Sequence, residues 1–579
     1  MLRQVRGAFL AVGIFSFFLN LLYLVSPLYM LQIYDRVLTS GQRPTLLYLT
    51  IIAAVALLVL GILEALRGML LTRIGAWTNQ ALSGDLVSAS VRATLAGREQ
   101  GAQALRDLNQ VQSFIGTPSI NPFFDAPWVP VFVACVWILH PWLGVLALVS
   151  AIVLFLLAFL NDRLTRKGLG EAGRLRNRSQ LDAERAIRNS EVVQAMAMMP
   201  AILRRWEQGN KASQDANSTA MERAAAITGL SRFLRLGVQV GILGLGALLV
   251  LQGELTAGGM IAASILLGRA LAPVEMSISS WRAFVGAVDA YGRLRQLLGN
   301  FGQRSEPMPL PTPQGRIDVQ DVTYRPPGSA TLTLNRVRFD LSPGEVLAVI
   351  GPSAAGKSTL CRILCGVLEP LGGNVRLDGA DLRSWPSGQL GAAIGYLPQD
   401  VELFAGTVRQ NIARMTDGDP EAVVAAAKNA DVHELILQLS DGYDTEIGPG
   451  GSVLSAGQRQ RIGLARALYG DPKIVILDEP NANLDQEGEA ALTEAIAGMK
   501  ARGATVILVA HRTPMLVHVD KILLLARGAV EMFDTRDKVL AELKARRDRQ
   551  VEEAARQRRA ALGEGSGDND ASPQQGAGQ

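Results

Sequence analysis

Six long apolar runs, at about 8–33, 45–63, 128–139, 142–160, 233–251 and 261–274, constrain this chain more than any other feature. A helix needs roughly 20 apolar residues to cross the hydrocarbon of a bilayer. Most of the runs reach or approach that length; the third and last do so once extended into their flanks. The spacing predicts six crossings, with lipid as the first partner. Composition agrees, since 49% of the 579 residues are hydrophobic and 19% charged, against about 25% charged in a soluble domain. So much apolar surface excludes disorder for the body of the chain. It also overrides the four soluble domains that length alone would suggest at about 150 residues each. A net charge of +4 implies no nucleic-acid partner.

Flanking residues refine the spans. Trp128, Trp137 and Trp142 bracket the third and fourth runs as interfacial aromatics do. His140–Pro141 breaks the helix between them, which predicts a tight external hairpin. Arg3 and Arg6 give the first run the look of a signal sequence, but it is too long and ends without a small-residue cleavage site, so it reads as a retained span. Segments 67–126 and 161–231 are basic, whereas the opposite loops carry little beyond Arg36 and Arg43. Positive-inside logic then puts both segments and both termini in the cytoplasm. Both segments are rich in Ala and Leu and are expected as long helices. Arg269, inside the last run, either faces a translocation path or snorkels to the headgroups. Glu64 and Arg67, one turn apart, read as an interfacial pair.

A Pro-rich stretch at 306–313 separates this region from one of strand, turn and helix alternation, the signature of an α/β domain with a largely parallel sheet. The expected division is a membrane domain over 1–300, a linker over 301–315, an α/β domain over 316–545, and a charged helix with a disordered tail over 546–579. Cys135, Cys361 and Cys365 form no disulfide framework. Cys361 and Cys365 lie one helical turn apart without further ligands nearby, so they read as core rather than metal site.

Chemistry concentrates in the second region. Gly351-Pro-Ser-Ala-Ala-Gly356-Lys357-Ser358-Thr359 follows the apolar strand VLAVI and fits a phosphate loop. Its amides would cradle phosphates at a helix N-terminus. Lys357 would reach the β- and γ-phosphates and Ser358 would ligate Mg²⁺. About 120 residues on, Ile474-Val-Ile-Leu ends in Asp478 and Glu479. Asp478 is placed to hold the metal and Glu479 to polarise an attacking water. ATP and Mg²⁺ are the implied ligands.

Between these lies Leu454-Ser455-Ala456-Gly457-Gln458, followed by RQRIGLARA. At this point the sequence resembles the ATP-binding cassette (ABC) transporters, over essentially the whole chain to about residue 540. The resemblance implies an α-helical six-span transmembrane domain of the exporter type fused to an α/β P-loop ATPase domain. It implies that Ser455, Gly457 and Gln458 close on the nucleotide of a second copy in a homodimer. By the same resemblance Tyr324 stacks on adenine, Gln399 senses the metal, Asp485 contacts the partner subunit and His511 contacts the γ-phosphate. Ala354 and Ala456 stand where the family usually has glycine, which puts the local loop geometry in question.

A membrane half fused ahead of one cassette is the arrangement of exporter half-transporters. SPLYMLQIYDRVLTSG at 26–41, HPWLG at 140–144, GRALAPVE at 268–275 and DEPNANLD in the cassette resemble the type I protein-secretion permease/ATPases. That resemblance implies unfolded protein substrates bearing a C-terminal signal, a periplasmic adaptor, an outer-membrane channel and a bacterial inner-membrane location. Few residues precede the first span, so a leader-clipping peptidase domain is not expected. A lipid, peptide or drug exporter would share every ATPase motif. A regulatory membrane ATPase would more often lack Glu479 or His511.

Overall fold

The computed structural model describes residues 2–98, 103–302, 307–510 and 513–563. The chain forms two compact units that part at residues 303 and 304.

In the first unit all six expected crossings are helices: Arg6–Ser40, Arg43–Leu95, Pro118–Leu139, Pro141–Arg188, Met199–Leu251 and Ala257–Ser279. The third and sixth gain their length from the flanks. The second and fifth run 53 residues and the fourth 48. At 1.5 Å per residue these reach about 70–80 Å, well beyond the ~30 Å hydrocarbon layer. The basic segments are therefore helical continuations of the spans. The sixth span is wrapped by its neighbours, with 61% of its apolar window buried, whereas the second, at 6%, leaves its apolar surface exposed. Leu266, Leu267, Ala270 and Leu271 of the sixth span share one core with Phe132, Leu143, Leu154 and Ile242.

The membrane-half motifs acquire physical roles. His140 is extended (φ −163°, ψ 133°) and its Nδ1 accepts from the amide of Trp142, which starts the fourth span. Gly144 approaches Trp137 so closely that a Cβ would lie 2.7 Å from the Trp137 Cα, so the hairpin needs glycine there. Asp35, in a π-helical turn of the first span, accepts from the Thr256 hydroxyl at 2.7 Å and the Gly258 amide at 2.9 Å, and so caps the sixth span. Arg269 is exposed and stacks 4.0 Å from the Tyr23 ring centre. Glu275 pairs with Arg235 at 2.6 Å.

The expected Glu64–Arg67 pair does not form. Arg67 is buried and reaches Asp125 at 3.1 Å and the Ser16 hydroxyl at 3.1 Å. Burial makes a fully hydrogen-bonded partner worth more to Arg67 than an exposed carboxylate one turn away.

Among the described residues the second unit carries ten strands. A four-stranded antiparallel sheet, in order β2-β1-β4-β5, comprises β1 Ile317–Tyr324, β2 Leu334–Leu341, β4 Gly372–Leu377 and β5 Ala380–Asp381. A six-stranded sheet, in order β10-β9-β3-β8-β7-β6, comprises β3 Val346–Ile350, β6 Ile394–Leu397, β7 Ile474–Asp478, β8 Thr505–Val509, β9 Lys521–Ala526 and β10 Ala529–Thr535. It is parallel except for β10. Strands β3, β7 and β8 are apolar almost throughout because both faces are covered. The fold class is thus a six-span helical membrane domain with an α/β nucleotide-binding domain. A helix, Arg536–Gly563, follows β10, and the stretch expected as a disordered tail, from residue 564, lies outside the described residues.

Candidate active site

Parallel strands deliver their last residues to one edge of a sheet, where ligands of α/β folds bind. At that edge β3 runs into the loop 351–356 and the helix Lys357–Leu364. Gly351 is held so tightly that a Cβ would lie 2.1 Å from the Leu525 carbonyl oxygen. Gly356, at φ +100°, caps the helix, and Thr359 is half-buried in its first turn. Ala354 adopts φ +63°, the left-handed conformation glycine takes more readily. Alanine at this position therefore carries backbone strain. Lys357 is buried, and its Nζ donates to the carbonyls of Gly351 and Pro352, each at 3.1 Å. The ammonium thus spans the loop mouth, where a phosphate would offer it stronger acceptors.

Asp478 ends β7, two strands along from β3, and its Oδ1 accepts from the Ser358 hydroxyl at 3.1 Å. Burial raises the Asp478 carboxyl above the usual range despite that hydrogen bond, and the charge of Glu479 adds to the shift. Such a carboxylate gains from a cation beside it. Two hard oxygens 3.1 Å apart suit Mg²⁺, which prefers oxygen ligands. Glu479 stands at φ +52°, an uncommon conformation for a side-chain-bearing residue, and its Oε2 accepts from the Gln399 amide at 3.1 Å.

Ser455 caps the helix Ala456–Leu468 through a capping box. Its hydroxyl accepts from the Gln458 amide at 3.2 Å while Gln458 Oε1 accepts from the Ser455 amide at 2.8 Å. Ala456 is the first helical residue, a position alanine favours over glycine. Gly457 leaves only 3.1 Å between a would-be Cβ and the Asn483 carbonyl. Asp485 caps the helix Gln486–Ala501, accepting from the Gly488 amide at 2.9 Å, and Arg461 pairs with it at 3.3 Å.

Sequence reasoning missed Gln460. It is 2% exposed, donates to the Pro480 carbonyl and accepts from the Asn483 amide at 3.2 Å. One buried amide therefore ties the signature helix to the turn behind Glu479. Its signal was a polar residue on the buried face of the run RQRIGLARA.

Two expectations need comment. His511 lies outside the described residues. Tyr324, expected to stack on adenine, ends β1. Strict alternation from Ile317 and Val319 would turn residue 324 away from the core. A bulge between Val319 and Val322, with Asp321 at φ +49°, shifts the phase by one, so Val322 and Tyr324 point inward. Tyr324 is 9% exposed and packs in the core with Val349, Ala355 and Leu360. Cys361 and Cys365 also join this core. Burial pushes both thiols up, leaving them neutral. Among the described residues no group of three or more His, Cys, Asp or Glu side chains is gathered to hold a metal ion.

Comparison with known proteins matches both units. Residues 9–272 match the family model of the ABC transporter transmembrane region and residues 334–482 that of the ABC transporter. The chain is 45% identical over 548 residues to the type I secretion system ATP-binding protein PrsD of Rhizobium meliloti, covering 94% of each. It is 30% identical over 534 residues to the leukotoxin translocation ATP-binding protein LktB of Mannheimia haemolytica, covering 91% of this chain and 75% of LktB. In fold it resembles a bacterial Atm1-family ABC exporter solved with ATP bound, at a TM-score of 0.80 and 22% identity, over 94% of this chain and 98% of that one.

Proposed function

This chain belongs to the ABC transporter family, and within that family we propose that it is the membrane ATPase of a type I secretion system. It is a multi-pass membrane protein that hydrolyses ATP to drive export. The observation that carries the finer reading is the 45% identity to PrsD across 94% of both chains, membrane half included. By that reading the cargo is an unfolded protein with a C-terminal signal. The chain sits in the bacterial inner membrane with its termini and ATPase domain cytoplasmic. It works as a homodimer with a periplasmic adaptor and an outer-membrane channel.

The site residues divide the work. Amides of the loop after Pro352, up to Ser358, hold the phosphates at a helix N-terminus, and Lys357 exchanges two carbonyl acceptors for phosphate oxygens. Ser358 and Asp478, with the amide oxygen of Gln399, would hold Mg²⁺, which supplies charge neutralisation on the phosphates. Glu479, steadied by Gln399, orients the water and takes its proton. Ser455, Gly457 and Gln458 complete the site on the partner's nucleotide, Asp485 meets the partner, and His511 contacts the γ-phosphate.

The test is turnover of the full-length protein in lipid nanodiscs with added effectors. Stimulation by a peptide carrying the C-terminal signal of a secreted protein supports the reading. Stimulation by free lipid and none by the peptide would replace it with a lipid exporter.

A further inference from the structure

Arg414 holds the signature helix at the end opposite Ser455. The last four carbonyls of a helix have no partner within it. In the helix Ala456–Leu468 two of these, on Arg466 and Ala467, accept from the Arg414 guanidinium at 3.2 Å each. The Tyr469 carbonyl just beyond the helix accepts from it at 3.2 Å as well. The same guanidinium donates to the Gly391 carbonyl, in the helix Ser387–Ala393 that leads into β6. A cation suits a helix C-terminus, and this one also bridges two elements.

The contact is imposed by its surroundings. Arg414 and Met415 stand at φ +55° and +61°, two successive side-chain-bearing residues in the left-handed region, which persists only where the structure around it demands it. Gly418 closes the same turn so tightly that a Cβ would lie 2.2 Å from the Tyr469 hydroxyl oxygen. Arg466, on the signature helix itself, donates to the Glu402 carbonyl at 3.1 Å, and a Cβ on Gly463 would lie 2.6 Å from Val401 Cγ1. The helix is thus clamped to the segments at both ends of β6.

Every acceptor of the two arginines is a main-chain carbonyl. Burial pulls both guanidinium groups down from their ordinary value, and the charge of Arg414 adds to the shift at Arg466. Apolar packing would hold the turn without that electrostatic cost, so what the cations add is a fixed axial position for the helix. A helix of 13 residues is a stiff rod about 20 Å long. A displacement at its C-terminal end is therefore delivered to Ser455 at the other.

We propose that Arg414 is a positioning residue of the ATPase reaction: by capping the far end of the signature helix it sets where Ser455 stands on the nucleotide of a second copy. This rests on the shared-site homodimer proposed above and deepens it.

The test uses full-length chains in nanodiscs. Arg414→Lys keeps the charge and the stem but cannot span four carbonyls. Its homodimers should lose kcat about fivefold or more with the KM for ATP unchanged, because their phosphate loops are untouched. An unchanged kcat overturns the proposal. Placement in mixed dimers then separates positioning from a general loss of fold. With Arg414→Lys and Lys357→Ala on one chain beside a wild-type chain, the surviving loop meets the altered helix. With the two substitutions on different chains, the surviving loop meets an unaltered one. The first placement should be slower than the second by about fivefold or more, and equal rates overturn the proposal. Ser455→Arg in the same two placements is the control. If Ser455 shows the split and Arg414 does not, only the positioning role falls. If neither shows it, the shared site falls and the proposal with it. Arg414→Met, which supplies no donor, should lose more kcat than Arg414→Lys, and an equal or smaller loss would count against carbonyl capping.

Discussion

Gln399 donates its Nε2–H to Oε2 of Glu479 at 3.1 Å, which joins the loop after β6 to the residue that follows β7. The contact fixes the orientation of the Glu479 carboxylate. Because the backbone of Glu479 is itself in the left-handed region, this carboxylate is positioned from two sides.

Glu479→Gln removes the proton acceptor while keeping the shape of the side chain. Nucleotide binding should persist, while turnover falls by roughly 10²–10⁴-fold. Single-turnover hydrolysis beside equilibrium binding separates the two effects. Normal turnover in the variant would remove Glu479 from its role.

Gln460 should behave as a positioning residue. Gln460→Leu fills the same space but strands the Asn483 amide and the Pro480 carbonyl, at a cost of about 1–3 kcal/mol. A lower melting temperature together with reduced kcat, at near-normal ATP affinity, is the expected pattern. If only the melting temperature moved, the Gln460 link to the Glu479 turn would be structural and nothing more.

The phosphate loop makes opposite predictions at two small residues. Gly351→Ala forces a Cβ to 2.1 Å from the Leu525 carbonyl and should abolish ATP binding. Ala354→Gly removes the left-handed strain and should stabilise the loop by about 1 kcal/mol, visible as tighter ATP binding. Equal behaviour of the two variants in a binding titration would mean the loop is not held as described.

In the membrane unit, buried Arg67 pairs with half-buried Asp125 at 3.1 Å. Removing one partner leaves an uncompensated charge, so Asp125→Ala should cost about 3–5 kcal/mol. Thermal unfolding in detergent should show the loss, and Arg67→Met/Asp125→Leu should recover part of it. No recovery in the double variant would argue against a direct pair.

What was legible from sequence, and what was not, follows from the range of the interactions. Six crossings could be read because apolar length is a property of consecutive residues. The phosphate loop and the Asp478–Glu479 strand end were legible because each motif is local. The Arg67 partner was not, because Asp125 lies 58 positions away and Glu64 is the nearer charge in sequence. The inward turn of Tyr324 was not legible, because one inserted residue near Asp321 inverts the alternation. Gln460 escaped because its partners, Pro480 and Asn483, are joined to it only by the fold.

The last prediction concerns whether two copies share their sites. Each chain carries one phosphate loop and one signature helix, and Ser455, at the tip of that helix, is exposed with its hydroxyl engaged only within its own capping box among the contacts described. If Ser455 acts on nucleotide held by the partner's loop, damage redistributes in mixed dimers. Lys357→Ala homodimers have both sites broken, and so do Ser455→Arg homodimers. A mixed dimer gathers both lesions into one site and leaves the other intact. Co-expressing the two variants with separate tags and purifying the doubly tagged species should therefore restore ATPase activity. The recovered rate should be at most about half of normal, and lower if both sites must close together. Were each chain to complete its own site, the mixed dimer would stay as inactive as either parent. A mixed dimer that binds ATP but does not turn over would count against the shared arrangement.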